Sequence, residues 1–283
     1  MIFLKNFFEK RIITEEDERP PEERRQLAHR ESSSLTLRTP EEEVLETREK
    51  SSSRPLEGGS NTKSFIELKD DGAGVFKPKS GERKGLRQGL EQGTYYKRER
   101  AAYLVDRFLG FDLVPPTVIR MIDGEEGSVQ QFIPDALSIY DRSLRNRDGL
   151  KPDLMKLWIF DYIIWNSDRS SKNFLVKDGK IYAIDHGCTF CYGEDSLRFY
   201  SHGSYENEQI PKDITDKINQ FLSWGEGIKI LGELLKELLP EAEAKACVAR
   251  IKKIGEILAR GQINAHDASQ LFFDPKIPSD SIR

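Results

Sequence analysis

Ile159-Phe-Asp-Tyr-Ile-Ile-Trp-Asn166-Ser-Asp168-Arg-Ser-Ser-Lys-Asn173-Phe-Leu-Val176, then Lys177-Asp178-Gly179-Lys180, then Ile181-Tyr-Ala-Ile-Asp185-His-Gly187: the reading of the chain turns on this stretch. Asp168 closes an apolar run and stands five residues before Asn173. That interval suits phosphoryl transfer, where one oxygen must orient the proton of an attacking hydroxyl and a second, about one loop turn away, must hold a divalent cation on nucleotide phosphates. Phe174 to Val176 and Lys180 to Ala183 flank an Asp178-Gly179 turn and predict a hairpin. Its second strand delivers Asp185, a further metal-binding carboxylate, and Gly187 lets the chain turn sharply away. An Asp and an Asn five residues apart are common in turns; their coupling through a hairpin to Asp-x-Gly is what makes the pattern specific.

Moving towards the N-terminus, Leu113 to Ile119 and Gly127 to Ile133 alternate as strands of one small sheet. Tyr95 to Leu109 carries apolar residues at helical spacing, with Glu99 in its first turns. Gly74 to Lys79 is a strand ending in Lys77-Pro78-Lys79. A lysine within an apolar strand needs an anionic partner, and Glu99 and a phosphate would supply it to Lys77. Gly58, Gly59 and Ser60 form a turn before the strand Phe65 to Leu68, and its backbone N–H groups suit phosphate. Beyond Pro134-Asp135 the chain becomes mainly helical, over Pro152 to Trp165, Ile214 to Leu239 and Glu241 to Ala259. The expected fold is α+β and bilobal: a charged N-terminal arm over residues 1–53, a small antiparallel-sheet N-lobe with one helix over 54–134, and a mainly helical C-lobe over 135–283.

With 283 residues, 33% of them charged and 10% aromatic, the chain is long enough to bury a sizeable core. Its net charge of -4, with both signs mixed, argues against a nucleic-acid partner. Three cysteines make no disulfide framework and favour a reducing, cytoplasmic setting. No apolar run has the length of a transmembrane segment. Cys188-x-x-Cys191, with His186 and His202 nearby, lacks the second regularly spaced ligand pair of a zinc site. Met1 to Ile13 is amphipathic, and Thr14 to Pro55 shifts to Glu, Arg, Ser and Pro, a composition that predicts a weakly packed arm. Within it, Thr39-Pro40-Glu41-Glu42 is a helix start with the makings of a capping box.

Val75-Phe-Lys-Pro-Lys79, Arg98-Glu-Arg-Ala-Ala-Tyr103, Leu113-Val-Pro-Pro-Thr117, Asp168-Arg169 with Asn173, and Ile184-Asp-His-Gly187 together resemble the phosphatidylinositol 3-/4-kinase-like branch of the protein-kinase fold. Several look most like type II phosphatidylinositol 4-kinases, and the branch includes the HipA-like kinases. The resemblance implies ATP and Mg²⁺ as cofactors. It makes Lys77 the ligand of the α- and β-phosphates with Glu99 as its partner. Gly59 and Ser60 lie over the phosphates, and Gln130, Gln131, Phe132 and Ile133 face the adenine. Asp168 is the catalytic acid–base residue, and Asn173 and Asp185 are the metal ligands.

The cysteine-rich palmitoylation motif of the type II lipid kinases is absent, and no basic cluster replaces it. The segment after Asp185 carries Glu194, Asp195, Glu206 and Glu208 against Arg198 and Lys212, a poor match to phosphorylated inositol. Protein Ser/Thr or a small hydroxyl compound is therefore the favoured acceptor, with a lipid headgroup as the alternative. A pseudokinase binding module and an AMP transferase are the other readings of the same motifs.

Overall fold

Alternation in Phe65-Ile-Glu-Leu68 and Val75-Phe-Lys77 gives strands with one buried face. The computed structural model shows how they assemble; it describes residues 38–86, 89–139, 141, 147–166, 168–191 and 208–260. The Met1 to Ile13 face, His202 and most of the acidic segment between Cys188 and Lys212 lie outside these residues.

Five antiparallel strands form the first sheet: β1 (Lys50–Pro55), β2 (Ser64–Leu68), β3 (Gly72–Pro78), β4 (Thr117–Ile122) and β5 (Glu125–Gln131), in the order β1-β2-β3-β5-β4. Ile66, Leu68, Phe76, Val118, Ile122 and Val129 pack together on its buried side. Lys77 pairs with Ser128 and Pro78 with Gly127. A Cβ at Gly127 would lie 2.4 Å from the Lys77 carbonyl oxygen, so only glycine lets β5 approach the strand that carries Lys77.

The helix α1 (Pro40–Thr47) precedes this sheet and packs on it, which corrects the expectation of a weakly packed arm to residue 53. The capping box at Thr39 and Glu42 is complete, with the Glu42 carboxylate accepting from the Thr39 N–H at 2.9 Å and the Thr39 hydroxyl from the Glu42 N–H at 3.2 Å. Leu45 joins the apolar cluster of the sheet. Glu42 is fully buried and pairs with Arg100 and with Arg107, the latter at 2.7 Å. The segment is held by charge pairing, by Leu45 and the half-buried Val44, and by Arg120, which donates to the Leu45 and Arg48 carbonyls at 2.7 and 2.9 Å; composition undervalues that kind of burial. Among the described residues the small lobe therefore reaches back to residue 38, and α1 joins it as a second helix.

The long helix α2 (Tyr95–Leu109) lies between the sheet and the second lobe and is buried over most of its length. Its start is capped from a distance: Glu82 accepts from the N–H of Tyr96 at 2.9 Å and from that of Gly93. At its far end Phe108 meets Phe221 edge-on and stacks on Trp224. Asp106 accepts from the N–H groups of Leu113 and Val114 at 3.0 and 3.1 Å, which fixes the chain's path from helix to β4.

In the second lobe a small sheet of β6 (Leu137–Ser138), β7 (Phe174–Lys177) and β8 (Lys180–Ala183) accompanies the helices α3 (Lys151–Ile163), α4 (Lys212–Ser223), α5 (Gly225–Leu238) and α6 (Glu241–Leu258). Asp178 and Gly179 both have positive φ, 51° and 75°, as the tight hairpin turn between β7 and β8 demands. One apolar core runs from α2 through α3 to α6. The architecture is α+β and bilobal, with the lobes sharing α2.

Candidate active site

Strand β3 places Lys77 opposite α2, where its ammonium pairs with Glu99 and lies 2.9 Å from Asp185 Oδ1. Burial works against the lysine charge, but the Asp185 and Glu99 carboxylates outweigh it and hold the Lys77 pKa above its usual value. Burial likewise opposes the Glu99 charge. The Lys77 ammonium and His186, whose backbone N–H reaches Glu99 Oε2 at 2.9 Å, overcome it and depress the Glu99 pKa. Lys79, the other lysine of Lys-Pro-Lys, is exposed.

Asp185 follows β8 in a left-handed conformation, φ 63°, with a side chain 43% exposed. The next residue turns inward: His186 is fully buried, and burial lowers its pKa, so the ring is neutral. A guanidinium can only donate, so the Arg169 Nη2 contact at 3.0 Å makes His186 Nε2 an acceptor and leaves the ring proton on Nδ1. That atom faces Glu99 Oε2 at 3.7 Å.

Arg169 ties the rest together. Its guanidinium grips both oxygens of Asp161 on α3 at 2.9 Å and donates to the carbonyls of Asn173 and Ile184. The loop from Asn166 to Asn173 is thereby fixed on both sides. Asn166 donates to Asp161 at 2.9 Å and accepts from the Asp168 N–H at 3.0 Å; Asn173 Nδ2 donates to the Asp168 carbonyl at 2.8 Å. The last contact sets the Asn173 amide so that its oxygen is the atom available to a cation. The Ile184 N–H donates to the Asn173 carbonyl at 3.0 Å, which brings Asn173 and Asp185 to one edge. Among the described residues no three His, Cys, Asp or Glu side chains cluster as a metal cage. Asn173, Asp185 and Asp168 are hard oxygen donors, and such a set fits an ion that completes its shell with water and phosphate, as Mg²⁺ does.

Lys77, Glu99 and Asp185 are thus brought together, and Asp168 and Asn173 share one loop beside them. Gly59 and Ser60 lie in the turn between β1 and β2, where Gly58 and Gly59 adopt φ of 83° and 81°. This turn leans on the segment after β3, with the Thr62 N–H donating to the Gly81 carbonyl at 2.9 Å and Asn61 accepting from the Arg83 N–H at 2.9 Å. Gln130, expected to face adenine, donates its side-chain amide to Thr117 Oγ1 at 2.9 Å. The N–H groups of Gln131 and Phe132 bond to the carbonyls of Pro116 and Ala73, and the Phe132 ring meets Phe65. Ile133 follows at the end of β5.

Three contributors escaped the sequence reading as site residues: Asp161, Arg169 and His186. Asp161 carried a signal, since an acid inside the apolar run Trp158 to Ile164 needs a buried cation, and the same reasoning had picked out Lys77.

Residues 126–242 match the family Phosphatidylinositol 3- and 4-kinase, a stretch that takes in Asp168, Asn173 and Asp185 and leaves out Lys77 and Glu99. The chain is 30% identical over 159 residues to Protein Rv2133c of Mycobacterium tuberculosis (strain ATCC 25618 / H37Rv), covering 44% of this chain and 56% of that protein. It thus spans little more than half the length of this curated relative. Among solved structures it is similar to the Golgi casein kinase with Mn/ADP bound, with a TM-score of 0.48, 19% identity and coverage of 79% of this chain and 78% of that one. It is also similar to the Helicobacter pylori proinflammatory kinase CtkA, with a TM-score of 0.49, 10% identity and coverage of 79% and 96%.

Proposed function

We propose that this chain, protein-kinase-like in fold and similar over residues 126–242 to the phosphatidylinositol 3- and 4-kinases, is an ATP-dependent phosphotransferase. The observation that carries the reading is the chain of contacts Glu99–Lys77–Asp185, drawn from three separate elements and set beside the Asp168–Asn173 loop. ATP with Mg²⁺ would supply the γ-phosphoryl group. Lys77 holds the nucleotide phosphates, and Glu99 keeps its ammonium charged and aimed. Asn173 and Asp185 offer oxygens to the cation. Asp168 orients the acceptor hydroxyl and takes its proton. Arg169 donates only and stays charged, so it fixes the loop without joining in proton transfer.

Within this proposal the acceptor is a hydroxyl of a protein Ser or Thr or of a small molecule, and the setting is cytoplasmic. Among the described residues no helix is long and apolar enough to cross a membrane. Of the acidic segment, Glu208 pairs with Lys151 at 2.6 Å, so that part of its charge belongs to the fold. The lipid-headgroup alternative is favoured by the family match itself.

Transfer from γ-labelled ATP to the enzyme, to a cell extract and to phosphatidylinositol vesicles tests both readings, with α-labelled ATP run beside it to detect AMP transfer. The expected result is γ-label on protein, abolished in Asp168→Ala and Asp185→Ala. Equal labelling in wild type and both variants would overturn the phosphotransferase reading, and label confined to the vesicles would replace protein with lipid.

A further inference from the structure

Two consecutive residues of α2, Arg98 and Glu99, hold the same short segment by its two ends. Glu99 accepts from the His186 N–H at 2.9 Å, and Arg98 Nη1 donates to the Thr189 carbonyl at 2.6 Å. The Thr189 hydroxyl closes the segment on itself by donating to the His186 carbonyl at 2.7 Å. Arg98 is 1% exposed and Thr189 is fully buried. On its other side Arg98 forms a bidentate pair with Glu243 of α6, at 2.7 and 3.1 Å. A buried guanidinium is costly alone; Glu243 neutralises it and sets the plane of its fork, so that the donor to Thr189 is correctly aimed.

We infer that Arg98, oriented by Glu243, is a positioning residue for Asp185. Asp185 has φ 63°, a conformation that a side chain other than glycine keeps only where its neighbours over-determine it. On its N-terminal side Ile184 is fixed by Arg169 and Asn173. On its C-terminal side His186 is held by Glu99 and by the Arg169 guanidinium, Phe190 by the Ile164 carbonyl at 2.7 Å, and Thr189 by Arg98. Loss of the Arg98 hold loosens the buried link between His186 and Phe190 and moves the Asp185 carboxylate off the position where it and Asn173 meet one cation. The consequence for catalysis rests on the phosphotransferase reading; the hold on the segment does not.

Arg98→Lys and Glu243→Gln are made in the full chain, with Glu42→Gln as a comparison. Glu42 pairs with Arg100, which points away from Arg98 because two residues on a helix are about 200° apart. Amide hydrogen exchange of the 185–190 segment is measured without nucleotide, and the Mg²⁺ concentration for half-maximal transfer is measured at saturating ATP. Both Arg98→Lys and Glu243→Gln are expected to speed exchange of the His186 amide and to raise the Mg²⁺ requirement, each by about tenfold. Glu42→Gln is expected to lower the melting temperature and leave both quantities unchanged. Unchanged exchange at His186 in folded Glu243→Gln would overturn the inference, and so would an equal change in Glu42→Gln, which would mark general loosening. If Arg98→Lys does not fold, Glu243→Gln decides, since it keeps an acceptor for the guanidinium. A wild type that transfers no phosphate refutes the phosphotransferase reading and leaves the exchange result to judge the hold on its own.

Discussion

Lys77 Nζ lies 2.9 Å from Asp185 Oδ1 and bonds Glu99 as well, so one ammonium joins a strand of the small lobe, the shared helix and the end of the β7–β8 hairpin. Two carboxylates of different burial share that ammonium. Glu99 is closed in, whereas Asp185 keeps a side open to solvent and can exchange its lysine contact for a cation.

Lys77→Met should therefore cost transfer activity on the order of a hundredfold or more, because the lost group faces charge that develops during reaction. Lys79→Met, on an exposed side chain, should leave the rate largely as it was. Steady-state transfer from labelled ATP distinguishes them. A larger loss in Lys79→Met would reassign the phosphate contact to that lysine.

Arg169→Lys keeps the charge and loses the fork. An ammonium cannot serve Asp161, two carbonyls and the His186 ring at once, and the expected loss of stability is roughly 2–4 kcal/mol. Denaturant titration reads that loss. In parallel the turnover number should fall more than the affinity for nucleotide, since the loop bearing Asp168 and Asn173 loses its tether.

Asp106 predicts a pH dependence. Burial raises its pKa to about 7 despite the Leu113 and Val114 N–H donors. A carboxyl with a raised folded pKa contributes stability that is complete below its unfolded value, near 4, and is lost as pH climbs through about 7. The denaturant midpoint of the wild type should fall relative to that of Asp106→Asn between pH 5 and pH 8. A constant difference across that range would show that Asp106 is ionised throughout.

A chain beginning at residue 54 should not fold. It lacks Leu45 from the sheet cluster, lacks the first four residues of strand β1, and leaves Arg100 and Arg107 without the Glu42 carboxylate. A chain beginning at residue 38 should remain folded. Glu42→Ala alone is expected to cost about 3–5 kcal/mol, the scale of a buried ion pair robbed of one partner. Thermal melting of the full-length variant measures it.

The parts of the site legible in the sequence are those whose geometry is local. Asp168 and Asn173 are five residues apart in one loop, Asp185 is tied to them by a hairpin whose Asp-Gly turn announces itself, and Lys77 stood out as a charge in an apolar strand. The Lys77–Glu99 contact followed from requiring a buried partner for that charge. Arg98 and Glu243 are 145 residues apart, and nothing in the local pattern of either says that they meet. Glu42 misled because a charged helix with a single buried leucine has the composition of a solvated arm. Its burial depends on arginines at 100 and 107, on a helix sixty residues further along. The register of β4 and β5 sets Thr117 directly opposite Gln130, a pairing that the local pattern of neither strand announces.

Residues 98, 99 and 100 hand one helix to three neighbours: α6 through Glu243, β3 through Lys77, and α1 through Glu42. Displacing the helix as a rigid body would break all three pairs at once and bare its buried apolar residues as well, so the helix and the elements around it are expected to come apart in one step. Heat inactivation and loss of tertiary structure should trace a single curve.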